Sequence, residues 1–161
     1  MEKNYNLRTL KEDYKEIQEK YGLPSFKEMN EEFGIEKISE FESELLIREV
    51  RKFVSDKFSG YLRFVETLLN PVNAQIFVYS ILKSLGESEK EKLKEIYNLL
   101  SKKEFGVIEL DLNFSEIKEV EYIKDSLKIW QEIKKDLMKI VEKVKGDWDN
   151  KAETKNKEYL G

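Results

Sequence analysis

Any chemistry in this chain has to proceed without histidine or cysteine, because its 161 residues contain neither. That removes imidazole bases, thiolate nucleophiles, serine–histidine–aspartate relays, disulfides and the usual zinc sites. Carboxylates, lysines and a few arginines remain. Glu28-x-x-Glu31 and Glu116-x-x-Glu119 each place two carboxylates one turn apart on a helix, and an all-oxygen magnesium site is the chemistry such pairs permit. With 33 acidic residues in the chain, pairs at this spacing also arise on solvated helix faces. No glycine-rich phosphate loop of Walker or Rossmann spacing occurs. The expectation is a non-enzymatic protein, with no catalytic, cofactor-binding or metal-ligating residue assigned.

Helical nucleotide pyrophosphohydrolases pair Glu-x-x-Glu with Glu-x-x-Asp. The first half is present here and the second is nowhere in the chain, so that likeness fails. Binding residues are easier to nominate. Residues 1–47 hold 7 basic and 12 acidic side chains, whereas 48–63 hold five basic (Arg48, Arg51, Lys52, Lys57, Arg63) and two acidic. Arg48, Arg51 and Lys52 are spaced i, i+3, i+4 and share one helix face, a platform for phosphate or for an acidic partner. The structural alternative is that Glu44 pairs with Arg48 and the other charges meet acidic neighbours across a bundle. Lys57 falls inside an apolar arc, where it either snorkels to the edge or needs a carboxylate partner, with the last helix as the obvious source. Trp148 and Tyr159 are large aromatics in a polar stretch, read either as anchors for a partner or as caps on the bundle end.

Helices have to position these residues. Thr9 with Glu12, Ser25 with Glu28 and Ser88 with Glu91 fit the capping-box spacing, and Asn70-Pro71 fits an N-cap followed by proline. Gly22, Gly34, Gly86 and Gly146 sit where helices would end. These signals predict helices at 9–21, 25–33, 36–69, 71–85, 89–104 and 115–145. On a helical wheel the apolar residues of 46–69 fall within roughly 160°, with a bend or separate short helix plausible near residue 45. Gly60 falls on the polar side, where it can admit a kink. The last helix repeats Val120, Ile123, Leu127, Trp130, Leu137, Val141 and Val144 in steps of three and four. Lys134 breaks that repeat and Ile133 is placed to fill the gap. Near 30 residues each, the two long segments would measure about 45 Å, which predicts an elongated bundle of two long antiparallel helices.

Three segments are less regular. Residues 71–85 are apolar nearly all round, so they form either the buried centre of the bundle, the favoured reading, or the seam of an oligomer. Residues 107–114 alternate apolar and polar like a strand. No second stretch offers a pairing partner, so a short helix at 105–113 is expected, with a strand paired across a dimer as the alternative. Residues 147–161 are polar and aperiodic, a frayed tail beyond a single domain at 1–146.

Tyr21-Gly-Leu-Pro-Ser-Phe, Asn30-Glu-Glu-Phe, Leu46-Ile-Arg-Glu-Val-Arg-Lys, Leu68-Leu-Asn-Pro and Trp130-Gln-Glu-Ile-Lys-Lys together resemble a group of small, helical, uncharacterised archaeal proteins. That resemblance implies a stand-alone helical domain and transfers no functional residue. Charge, at −4, argues against nucleic-acid binding by net charge alone, and no apolar run approaches the ~20 residues of a membrane span. The expected protein is all-α, cytoplasmic, monomeric or homodimeric, and binds or scaffolds another protein. The alternative is an accessory factor for nucleic acid using the basic helix face.

Overall fold

The computed structural model describes residues 5–159, with side chains described for 5–153 and 157. All regular structure among them is helical: α1 (Leu7–Tyr21), α2 (Phe26–Phe33), a 3-10 turn (Ile35–Glu40), α3 (Leu46–Leu69), α4 (Ile76–Leu82), α5 (Glu87–Leu112) and α6 (Glu116–Tyr159). The all-α class follows from the 3.6-residue periodicity of the apolar positions. The chain divides into two compact units, Met1–Tyr61 with Leu100–Lys128, and Leu62–Leu99 with Ile129–Gly161. Helices α3, α5 and α6 each contribute residues to both.

In the first unit, local signals set the short helices. Asn6, three residues before the expected Thr9 cap, accepts a hydrogen bond from the Thr9 amide. Ser25 caps α2 as its spacing predicts, accepting from the Glu28 amide. Gly22 and Gly34 end α1 and α2 with φ of 64° and 65°, a left-handed backbone that costs a side-chain-bearing residue about 1–2 kcal/mol. Leu10, Tyr14, Met29, Ile35 and Ile38 are fully buried, and the Tyr14 hydroxyl donates to the Pro24 carbonyl at 2.7 Å. The predicted 36–69 helix is interrupted at 41–45, where Phe41 turns back to stack on Phe53 at 6.5 Å. In the same unit Ile47, Val50, Val54 and Phe58 of α3 and Val120, Ile123 and Leu127 of α6 are also buried.

In the second unit, Val65 and Leu68 of α3, Leu93 and Ile96 of α5, and Trp130, Ile133, Leu137 and Ile140 of α6 are buried. Ile133, with no exposure at all, does fill the gap left by Lys134. Helix α5 begins at Glu87, two residues before the expected start, because Glu89 reaches back to accept from the Gly86 amide at 2.9 Å.

Four expectations are corrected here. Asn70-Pro71 does not open a helix: residues 70–75 form a loop, with Asn73 at φ 56° and the Tyr79 hydroxyl donating to the Pro71 carbonyl at 2.9 Å. Only Ile76–Leu82 is helical in the following apolar run, and it is no buried centre, since Ile76 is 86% and Phe77 69% exposed. The alternating segment 107–114 is neither a strand nor a separate helix. It continues α5 to Leu112, because the seam Leu93, Ile96, Leu100, Lys103, Leu110 keeps three–four spacing through Gly106 and puts only Leu110 of the alternating set inside. The polar stretch after Gly146 also stays helical, as part of α6.

Candidate functional site: a sealed ion pair and an open apolar groove

Of the proposed basic face, Arg51 lies inside the first unit. Its side chain is 2% exposed and donates through Nε to Glu119 Oε2 at 2.7 Å and through Nη2 to Asp111 Oδ1 at 2.8 Å. Glu119 has no exposure. Burial pulls the Arg51 pKa down, but the hydrogen bonds from both carboxylates outweigh it and leave the guanidinium more basic than usual. Arg48 lies over the Phe114 ring, 5.8 Å from its centroid, and approaches Asp111 at 3.7 Å. Lys52 pairs with Glu49 one turn away at 3.3 Å. The three residues therefore do not form an open cationic platform. Acidic neighbours do meet the charges, as in the structural alternative, though Arg48 takes Asp111 and not Glu44.

The Glu116-x-x-Glu119 pair is split in the same way. Glu119 goes to Arg51, while Glu116 accepts from the Tyr21 hydroxyl and pairs with Lys20 at 3.6 Å. Glu31 of the other pair binds Lys27 on the surface at 3.9 Å. Among the described residues no group of three or more metal-ligating side chains converges. Lys57 is half-buried over the Phe33 ring and donates to the Glu32 backbone carbonyl of α2.

Sequence reading missed Lys103, whose side chain is 8% exposed. It donates to the Tyr122 carbonyl at 3.3 Å and to Asp125 at 2.8 Å, with its ammonium 4.2 Å from the Tyr122 ring centroid. Desolvation holds its pKa below the usual lysine value despite Asp125. The signal was there: Lys103 occupies a seam position of α5, and Glu119 extends the run Tyr122, Ser126, Trp130 on α6 by the same spacing. Polar residues at seam positions mark internal pairs.

The second unit carries the open site. Phe64 and Leu68 of α3, Phe77 and Ile81 of α4, and Val141 and Trp148 of α6 line a groove of about 400 Å³ whose walls are almost wholly apolar, with Lys145 at its edge. Val141 and Val144 continue the α6 stripe but line this groove in place of a closed core; Val141 is 51% and Trp148 59% exposed. Trp148, one of the two nominated anchors, is thus part of a wall. The side chain of Tyr159 lies outside the described residues. No helix among the described residues is long and apolar enough to cross a membrane. Comparison with family models, with curated proteins and with solved structures finds no match.

Proposed function

We propose that the chain is a non-enzymatic docking protein whose contact surface is the apolar groove of the second unit, with Trp148 as its aromatic anchor. One observation carries this reading: α4 and the facing turns of α6 leave Ile76, Phe77, Val141 and Trp148 in water beside a concave apolar wall. Large exposed apolar patches on soluble chains mark contact sites, and tryptophan is the residue type most enriched among energetic anchors. The nucleic-acid alternative has less support, because the arginine at the centre of its basic face is 2% exposed and makes its hydrogen bonds inside the protein.

Retention of binding partners by the wild-type chain and by Phe77→Glu/Val141→Glu is the discriminating measurement. Loss of retention in a variant with unchanged circular dichroism supports the groove. Equal retention by both proteins overturns it, as does turnover of a small molecule by the purified chain. Nucleic-acid affinity at low salt that falls in Lys52→Glu would favour the alternative. Lys52 is the residue for that test, because Arg51→Glu would break the buried pair.

A further inference from the structure

We propose that the occupant of the groove is a second copy of this chain, giving a two-fold symmetric homodimer closed through α4; this rests on the docking reading above. Helix α4 has apolar side chains on every side. Phe77, Ser80 and Ile81 face the groove, whereas Ile76 and Tyr79 lie on other sides of the same helix and Val72 precedes it. A helix without a polar face belongs in an interior, yet Val72 is 71%, Ile76 86% and Tyr79 44% exposed. A small apolar ligand in the groove would cover Phe77 and leave these three in water. A protein surface covers both sets.

Area favours a full interface. Given the areas apolar and aromatic side chains expose when free, Val72, Ile76, Phe77, Tyr79, Val141 and Trp148 together present on the order of 700 Å². That approaches the ~800 Å² per partner of a stable complex. Shape favours a copy. A two-fold interface needs one surface carrying both projection and recess, and this unit offers Val72 and Ile76 as projections and a groove of about 400 Å³ as the recess. The net charge of −4 is small enough that self-repulsion does not oppose the pairing.

Light scattering on the eluting full-length chain tests this. The expected mass is twice 19.2 kDa, with Ile76→Glu weakening the dimer about tenfold or more while helicity is unchanged, since Ile76 makes little contact in the monomer. Leu112→Glu, at a site 83% exposed in the other unit, should leave the dimer intact. A monomer at ~100 µM, where a stable dimer of this area would be populated, overturns the proposal. So does a dimer that Ile76→Glu leaves intact, or one that Leu112→Glu dissolves. A monomer that binds an amphipathic helical peptide through Trp148 overturns the homodimer and keeps the docking reading. A monomer that instead takes up oleate there points to a small-molecule site and overturns both.

Discussion

Arg51 and Glu119 are each deprived of water, so each depends on the other. Removing Arg51 leaves the Glu119 charge uncompensated in the interior, which costs about 3–5 kcal/mol, whereas replacing both with apolar residues of similar volume is often neutral. Arg51→Met is therefore expected to lower stability by about 3 kcal/mol or more, and Arg51→Met/Glu119→Leu to recover most of that loss. Urea midpoints of wild type and the two variants check this. Lys103 is the opposite case, because its carboxylate partner Asp125 is 61% exposed and solvent can satisfy that carboxylate. Lys103→Met is expected to be neutral or up to ~1 kcal/mol stabilising at pH 7. The pH dependence has a definite sign. With the folded-state pKa held below 10.5, the unfolded chain binds the extra proton in the window between the two values. Wild type should gain stability relative to Lys103→Met as pH rises through that window, read as urea midpoints from pH 8 upward.

Helix ends were legible where Ser25 caps α2 and where Gly22 and Gly34 turn left-handed. Ser25, Gly22 and Gly34 act within a few residues of themselves, so their roles survive any tertiary arrangement. Asn70-Pro71 and Gly146 carry the same kinds of signal and do something else. The loop at 70–75 is held by the Tyr79 hydroxyl on Pro71, and Gly146 is simply carried along in the 44-residue α6. Two glycines in helix interiors make this testable. A methyl group at Gly60 or Gly146 meets nothing within 4 Å, so Gly60→Ala and Gly146→Ala should each stabilise by about 0.5–1 kcal/mol through reduced backbone entropy in the unfolded chain. Thermal unfolding monitored by circular dichroism reads the shift. Removing the cap of α1 by Asn6→Ala should cost about 1 kcal/mol. Trp148 stands out in the sequence as a large aromatic in a polar stretch, but its groove depends on Phe64, Phe77 and Ile81 arriving from two other helices, a convergence that no local spacing encodes.

Each unit of the molecule has a pairing between distant segments that lowers the pKa of a carboxyl group. In the first, the hydrogen bond from the Tyr21 hydroxyl, and next the nearby Lys20, hold the Glu116 carboxyl below its ordinary range. In the second, the hydrogen bond from Lys143 does the same for Glu89. A carboxyl with a depressed folded-state pKa contributes stability that is present above its unfolded value near 4.5 and is lost as pH falls through the lower folded value. Acid titration of Glu89→Gln/Glu116→Gln should accordingly show a shallower loss of stability below pH ~4.5 than wild type; parallel curves would remove these two groups from the acid response. By itself, the order of residues determined that this chain folds as helices, where several of them begin and end, and that no thiol or imidazole chemistry is available, because periodicity, capping and composition act over a few residues or over none. Tertiary structure alone decided that Arg51 is interior, that α4 is exposed and that Val141 and Trp148 border a groove. Burial depends on which residues far apart in the chain come to cover one another, and a helical stripe specifies that something must pack against it without specifying what.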